Sequence, residues 1–369
     1  MHRILIALFA FTFVQVPAPA QHFPSDAVLL DLLRAQVGEP AVGGIVLGLL
    51  NGDGSTRVLT YGDAGPDALP LGPETTFEIG SVTKVFTGTL LAEAVGRGEI
   101  SLVEPIETYL PEALHVPTRG GRHITALDLA THRSGIQDGR LSVGQPGAPF
   151  RADELYAALS DYELTRDIGS RFEYSNLGID LLGDILDRVT DGDYEQTVSD
   201  RILTPLGMRM TGYTPTAAML EHAAQLFDAT GHLSPTVVFG GGPARSVRGS
   251  VGLTSDVEDL LAFVKANIDP PNSRLGEAMR MAQQARTPAG NGNQVWMGLT
   301  WHLRVIEGGQ EIVWKLGGVR GFQSYVGFDP RARVGVVLLA NAPRGGIANL
   351  GHHLVNPSIP LRAGGASFE

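Results

Sequence analysis

The chain has 369 residues, of which 43 % are hydrophobic, and its formal net charge at pH 7 is −11. This length and apolar content support a large core in one or two domains, and the acidity argues against nucleic acid or an anionic membrane surface as a partner. The sequence has no cysteine, which excludes disulfides and thiolate metal sites.

The first twenty residues predict a secretory signal peptide. His2 and Arg3 give a positive start, residues 4–14 are apolar but too few to span a bilayer, and residues 18–20 form a small-residue cleavage site. The alternative is a buried N-terminal helix, which the lack of a helical stripe disfavours. We therefore expect an exported protein, periplasmic or secreted, that begins near Gln21 and keeps no stable membrane anchor.

Strand-like segments lie near both ends of the chain. Residues 42–50 and 56–61 flank a turn at residues 51–55, which predicts a hairpin. Strands are also predicted at residues 298–306, 311–315, 323–328 and 334–340, with turn residues at 307–309, 317–318 and 329–331. Because these connections are too short for crossovers, we expect antiparallel pairing.

The middle of the chain is mainly helical in its apolar period. Helices are predicted at residues 82–97, 124–131, 153–159, 176–189 and 254–268. The expected fold is α/β (α+β): an antiparallel sheet formed by both chain ends, flanked by helices, with an inserted all-helical domain. The expected division is a sheet domain of residues 21–80 and 292–369 and a mainly helical domain of residues 81–291, with the active site at their interface.

Three of the 28 basic residues are lysines, and two of these lie in motifs that suggest chemistry. Lys84 follows Ser81 by three residues at a predicted helix start, so its amine can reach the serine hydroxyl. A desolvated lysine can take a proton from a nucleophile, which arginine cannot. An N-cap serine is the ordinary alternative. Lys265 is interpreted as a helix-surface cation.

Tyr174 and Asn176 stand at the start of another predicted helix, and Lys315 stands at the end of a predicted strand, before Gly317 and Gly318. A tyrosine near two ammonium groups is favoured in its ionised form and can shuttle a proton. Glycines beside a strand edge let a substrate backbone approach. The structural alternatives are a core aromatic, a helix cap and an edge-strand lysine.

Other site types find no support in the sequence. No Gly-x-Ser-x-Gly elbow, His-Glu-x-x-His pair or Walker pattern occurs. His352, His353 and the other histidines show no ligand spacing, so we interpret them as structural or surface residues.

These motifs, in this order, resemble the penicillin-recognising serine hydrolases, and above all the branch with class C β-lactamases, serine D-alanyl-D-alanine peptidases and related esterases. The resemblance covers nearly the whole mature chain. It is carried by residues 77–84, 97–100, 129–135, 174–178, 205–208, 321–328 and 338–341.

The resemblance implies that Ser81 is the acylated nucleophile, Lys84 its proton acceptor and Tyr174 a second acid/base. Asn176 would contact the substrate amide, and Lys315 would hold the substrate carboxylate. The backbone N–H groups of Ser81 and Gly318 would form the oxyanion hole, with Gly317 beside them. No metal or organic cofactor is implied, and we expect a monomer that acts on a small-molecule β-lactam, an ester or a D-Ala-D-Ala peptide.

The chain departs from the lactamase pattern in two places. Leu316 stands where the family's β-lactamases usually carry threonine or serine, whose hydroxyl helps to bind the carboxylate; its loss costs on the order of 1 kcal/mol. Residues 342–346 replace the further asparagines of class C enzymes. Arg320 offers a guanidinium fork as a hypothetical substitute.

The first functional interpretation is an exported serine β-lactamase of class C type. The alternative on the same scaffold is a carboxylesterase or a D-Ala-D-Ala carboxypeptidase, which Leu316 favours. A catalytically dead binding protein of this fold is disfavoured, because Ser81, Lys84, Tyr174 and Lys315 are all present.

Overall fold

The computed structural model describes residues 22–38, 41–138, 151–190, 192–228, 230–234, 248–290, 294–305, 311–343 and 345–362. The predicted signal segment lies outside these residues, and so do the predicted turn at 307–309 and the end of the strand predicted at 298–306. None of the helices in the described segments is long and apolar enough to cross a membrane.

Eleven α-helices and ten strands are assigned within the described segments. The helices are α1 (Asp26–Val37), α2 (Thr83–Arg97), α3 (Ala126–Ala130), α4 (Ala152–Ser160), α5 (Asn176–Val189), α6 (Tyr194–Val198), α7 (Thr204–Leu206), α8 (Ala217–Glu221), α9 (Val257–Ile268), α10 (Arg274–Ala282) and α11 (Ile347–Val355). The strands are β1 (Gly44–Leu50), β2 (Thr56–Gly62), β3 (Phe77–Glu78), β4 (Thr254–Ser255), β5 (Thr287–Pro288), β6 (Val295–Met297), β7 (His302–Val305), β8 (Glu311–Val319), β9 (Phe322–Asp329) and β10 (Val334–Ala340).

Eight of the strands form one antiparallel sheet, which joins the two ends of the chain. Its order is β2-β1-β10-β9-β8-β7-β6-β5, and β1 pairs with β10 from Ile45↔Ala340 to Leu50↔Gly335. Helices pack on the sheet, so the fold predicted from the sequence is confirmed. The division into two domains stays a prediction.

The centre of the sheet is buried on both faces. Side chains of a strand alternate between the two faces, and in β1 this sends Ile45 and Leu47 into an apolar cluster with α1 and α11. Val46 and Leu50 join a second cluster with α2, α5 and α9. Burial on both faces explains why β1 has an unbroken apolar run instead of an alternating pattern.

The strand predicted at residues 298–306 is wrong over its first four residues, and one predicted turn is wrong. Residues 298–301 form a buried loop between β6 and β7, so the segment predicted as one strand is part of a hairpin. This loop is held by contacts distant in sequence, including the Thr300 N–H bond to the Ala130 carbonyl (3.0 Å). Its apolar residues are buried as those of a strand would be, so the sequence of this loop resembles that of a strand.

Gly317 and Gly318 were predicted as a turn, but they continue β8 and pair with Ser324 and Gln323 of β9. The turn itself lies at Arg320 and Gly321, both with positive φ. Lys315 is therefore inside a strand and not at its end. The sequence does not predict α1, α6, α7, α8, α10 or α11, whereas α5 has the predicted bounds.

Candidate active site

Ser81 lies where a 3-10 turn, Gly80–Val82, leads into α2. Its hydroxyl oxygen accepts a hydrogen bond from Nζ of Lys84 (3.0 Å) and one from Oη of Tyr174 (2.8 Å). Lys84 belongs to the first turn of α2, and Tyr174 precedes α5 by two residues. Lys84, at the start of α2, and Tyr174, just before α5, therefore place two proton-exchanging groups beside the Ser81 hydroxyl.

Lys84 is fully buried and its amine has three oxygen partners. Besides Ser81, Nζ donates to Oδ1 of Asn176 (2.8 Å) and to the backbone carbonyl of Ser250 (2.9 Å). The amide and peptide carbonyl oxygens only accept, whereas the Ser81 hydroxyl can also donate. In a neutral amine the two N–H bonds would be used by Asn176 and Ser250, which leaves the lone pair facing Ser81.

Tyr174 lies between two lysines. Nζ of Lys84 and Nζ of Lys315 are each 5.0 Å from the centre of its ring. Burial by itself would raise the pKa of Tyr174, but the charges of Lys315 and Lys84 and the hydrogen bonds with Ser81 and Lys84 outweigh it, so the pKa is lowered. The lowered pKa makes the phenolate of Tyr174 easier to form than that of a free tyrosine, which suits the residue to proton exchange with Ser81.

Lys315 is brought to the site by β8, where its side chain is 1 % exposed. Pairing of β8 with β7 ends at His302↔Trp314, whereas pairing with β9 continues to Val319↔Phe322. The stretch from Lys315 onward thus borders the site as a strand edge.

This strand edge lies directly against the serine turn. Gly80 has φ +51°, and a Cβ placed on it would lie 2.8 Å from the backbone nitrogen of Gly318. A Cβ on Gly317 would lie 2.1 Å from the carbonyl oxygen of Ile79. Only glycine permits this approach, which brings the backbone of Gly318 close to that of Ser81.

Leu316, which departs from the lactamase pattern, and Arg320, the hypothetical substitute cation, each have partners within the protein. The half-buried Leu316 packs against the apolar cluster of α1 and α11, on the face of the sheet opposite the one Lys315 uses. Nη2 of Arg320 donates to the buried carboxylate of Glu78 (3.1 Å). Arg320 is thus held by an ion pair in the substrate-free site.

His132 is a neighbour of the site that the sequence analysis did not single out. It is buried, has φ +56° and lies against the Tyr174 ring, with 4.5 Å between ring centres. Its Nδ1 accepts from the Ser175 N–H (3.2 Å). Burial and the charges of Lys315 and Lys84 hold the pKa of His132 well below its usual value, so the imidazole is neutral.

Asp138 is a second neighbour, and it fixes the start of α5. Its carboxylate accepts from the backbone N–H of Asn176 (2.9 Å), the side-chain amide of Asn176 (2.8 Å), the Leu177 N–H (3.1 Å) and the Ser175 hydroxyl (3.2 Å). Because Nδ2 of Asn176 faces Asp138, Oδ1 faces Lys84. No pattern in the sequence links Asp138 to a helix 38 residues later.

The described residues contain no cluster of His, Cys, Asp or Glu suited to a metal ion. The chemistry available to the site is that of a hydroxyl, an amine and a phenol with neighbouring backbone N–H groups. Such a set fits acyl transfer.

Known proteins are similar to this chain over most of its length. A family profile described as Beta-lactamase matches residues 29–354. The chain is 29 % identical over 350 residues to D-alanyl-D-alanine-carboxypeptidase/endopeptidase AmpH of Escherichia coli K12, which covers 89 % of this chain and 86 % of that protein. It is 26 % identical over 379 residues to a β-lactamase of Lysobacter lactamgenus, which covers 93 % and 94 %.

Solved structures show the same fold. A β-lactamase/D-alanine carboxypeptidase from Pseudomonas syringae superposes with a TM-score of 0.73 at 24 % identity and covers 86 % of this chain and 94 % of its own. A class C β-lactamase from Rhodobacter sphaeroides gives a TM-score of 0.73 at 23 % identity, with 90 % and 97 % covered.

Proposed function

Because this chain belongs to the Beta-lactamase family of serine hydrolases, we propose that it is a class C-type β-lactamase, which opens the β-lactam amide through an acyl-enzyme on Ser81. One observation carries the proposal: the Ser81 hydroxyl oxygen is within hydrogen-bond distance of both Lys84 Nζ and Tyr174 Oη. A nucleophile between two proton-exchanging groups is the arrangement that acyl transfer requires. The likeness to the Lysobacter β-lactamase supports this choice of substrate.

In the acylation step, the Ser81 oxygen attacks the lactam carbonyl carbon while its proton passes to Nζ of Lys84. Nζ of Lys84 is within hydrogen-bond distance of that hydroxyl, and its other two contacts, with Asn176 and Ser250, are with oxygen atoms that accept from it. The negative charge that develops on the carbonyl oxygen is stabilised by the backbone N–H groups of Ser81 and Gly318. The close approach of Gly80 to Gly318 supports this pairing of donors.

When the tetrahedral intermediate collapses, the C–N bond breaks and the lactam nitrogen takes a proton from Tyr174. The lowered pKa of Tyr174 allows this transfer and the return of the proton. Water then attacks the acyl carbon and gives a proton to the Tyr174 phenolate. The bond between the acyl carbon and Ser81 Oγ breaks, and Ser81 Oγ takes back the proton held by Lys84. Asn176, which binds Lys84, orients the substrate amide.

The carboxylate of the substrate is assigned to Lys315, with Arg320 as a candidate second cation. Arg320 would have to share its guanidinium between Glu78 and the substrate. We further propose that the protein is exported, on the basis of its first twenty residues.

A D-Ala-D-Ala carboxypeptidase is the second candidate. Two observations favour it: the similarity to AmpH of Escherichia coli K12, and Leu316, which offers no hydroxyl for a lactam carboxylate. Its chemistry would use the same residues, since only the leaving group differs.

Initial rates of the mature chain on three substrates separate these functions: a chromogenic cephalosporin, a D-Ala-D-Ala peptide and a short-chain nitrophenyl ester, with Ser81→Ala as the blank. Cephalosporin turnover well above peptide and ester turnover is the expected result. Fast release of D-alanine with a stalled cephalosporin would overturn the first function in favour of the second. Fast ester turnover alone would indicate a carboxylesterase.

A further inference from the structure

Asp180 is a buried carboxylate beneath the active site that the mechanism above does not use. It lies on α5, one turn after Asn176, and therefore on the same face of the helix. The residue is 5 % exposed. A buried carboxylate is costly unless it is hydrogen-bonded or paired, so Asp180 requires polar partners inside the protein.

The principal hydrogen-bond partner of Asp180 is the backbone of Ser250. The Ser250 N–H donates to Oδ1 of Asp180 (2.8 Å), and the carbonyl of the same residue accepts from Nζ of Lys84 (2.9 Å). One residue therefore joins the carboxylate to the amine. This bridge completes a series of contacts from Ser81 through Lys84 and Ser250 to Asp180.

The Ser250 segment is fixed tightly between α2 and α5. Thr87, one turn after Lys84 on α2, donates from Oγ1 to the Gly249 carbonyl (2.6 Å). A Cβ placed on Gly249 would lie 2.2 Å from the carbonyl oxygen of Ile179 on α5. The backbone before Ser250 is thus held close against both helices, and a side chain at position 249 would not fit.

We propose that Asp180 is a positioning residue for Lys84: it anchors the Ser250 peptide that orients the amine, and its negative charge stabilises the ammonium formed when Lys84 takes the Ser81 proton. The inference rests on the proposed acyl-enzyme function. Asp180 takes no proton in the step, since the proton moves only from Ser81 Oγ to Lys84 Nζ. Its part resembles that of a buried acid which orients a catalytic base.

The charge state of Asp180 follows from its surroundings. Burial raises its pKa to about 6, against the opposing effects of the Ser250 hydrogen bonds and of the Lys84 charge, while the charge of Asp138 raises it further. Tyr194 and Tyr213 also face it; burial raises the pKa of Tyr194 to about 12 and that of Tyr213 well above its usual value. Both phenols are therefore neutral, and Asp180 is mostly ionised at pH 7.5 and mostly protonated at pH 5.

The test uses Asp180→Asn in the full-length mature chain, because an asparagine oxygen still accepts from the Ser250 N–H while the charge is removed. The matched control is Asp184→Asn, one turn later on α5, whose carboxylate binds Tyr156 and Arg188 instead. Acylation rates are measured by stopped flow with a chromogenic cephalosporin and a nitrophenyl ester from pH 5 to 8. Thermal midpoints are measured alongside.

At pH 7.5 we expect Asp180→Asn to acylate about tenfold more slowly than wild type, with a thermal midpoint no lower than that of wild type. At pH 5 the two should differ by less than twofold, so the rise in rate with an apparent pKa of about 6 should disappear in the variant. Asp184→Asn should retain that rise.

An Asp180→Asn rate within twofold of wild type at pH 7.5, or above it, would overturn the inference. A loss equal at every pH, as a purely structural role would give, would also overturn it. A wild type that no substrate acylates would refute the proposed function, and the inference with it, whereas an active wild type with an unaffected variant refutes the inference alone.

Discussion

The imidazole of His132 lies against the phenol of Tyr174, with 4.5 Å between ring centres and 32° between ring planes. The imidazole is neutral because burial and two lysines hold its pKa far below the usual value. His132 therefore contributes shape and a fixed hydrogen bond to Ser175, but no charge, next to the proposed acid/base.

The first prediction concerns this contact. His132→Asn should reduce kcat/KM about tenfold, because Tyr174 loses the ring that fixes its orientation. Asparagine tolerates the positive φ at this position, so the backbone should be retained. The measurement is kcat/KM on the ester and the cephalosporin, with a near-ultraviolet spectrum as the folding control; an unchanged kcat/KM would show that the ring contact is not needed.

The second prediction concerns the amine. Lys84→Arg should reduce acylation by about 10²–10⁴-fold, the range for loss of a general base, because a guanidinium does not give up its proton. Lys265→Arg, an exposed change on α9, is the matched control and should keep full activity. Pre-steady-state bursts of both variants provide the measurement. A Lys84→Arg burst as fast as wild type would remove Lys84 from the base role.

The third prediction concerns Leu316. Because the side chain at position 316 lies on the face of the sheet opposite the one Lys315 uses, Leu316→Thr should leave the ratio of kcat/KM for the anionic cephalosporin to that for the neutral ester unchanged. A rise of about fivefold, which corresponds to about 1 kcal/mol for one added hydrogen bond, would show that the hydroxyl reaches the carboxylate. The substitution should also reduce the free energy of unfolding by about 1 kcal/mol, because the leucine is half-buried against the cluster of α1 and α11. Substrate kinetics and urea unfolding test the two effects separately. If the ratio between the two substrates does not change, Leu316 does not determine specificity.

The fourth prediction concerns the pH dependence of stability. The pKa of Asp180 is raised from 3.8 to about 6 in the folded chain, so the folded state holds this proton more tightly than the unfolded state does. The stability associated with the proton is present below pH 3.8 and is lost as the pH rises to about 6, a change of about 3 kcal/mol. Urea unfolding between pH 4 and 7 should show that Asp180→Asn loses less stability over this range than wild type. Equal slopes for the two proteins would contradict the assignment.

The sequence predicts the helices and strands of this protein better than it predicts the contacts between distant segments. The bounds of α5 follow from its apolar period, and the sheet follows from the two sets of strands at the chain ends. These features depend on residues close in sequence or on a strong apolar pattern, and the sequence is therefore enough to predict them.

The parts that could not be predicted depend on contacts between distant segments. Gly317 and Gly318 look like a turn, but they are glycines because the serine turn packs against them. Asp138 and Asp180 look like ordinary polar residues, and only the fold brings them to Asn176 and Ser250. In the sequence Asp180 belongs to the polar face of α5, together with Asn176 and Asp184, so only its position one turn after Asn176 could have drawn attention to it.

The central claim is that Ser81 becomes acylated. The most direct test is intact-mass and peptide-level mass spectrometry of acid-quenched mixtures of a penicillin with the mature wild type and with Ser81→Ala. We expect the wild type to gain the full mass of the penicillin on the peptide that contains Ser81, because ring opening retains every atom, and we expect Ser81→Ala to gain nothing. An adduct on another residue, or equal labelling of both proteins, would contradict the account.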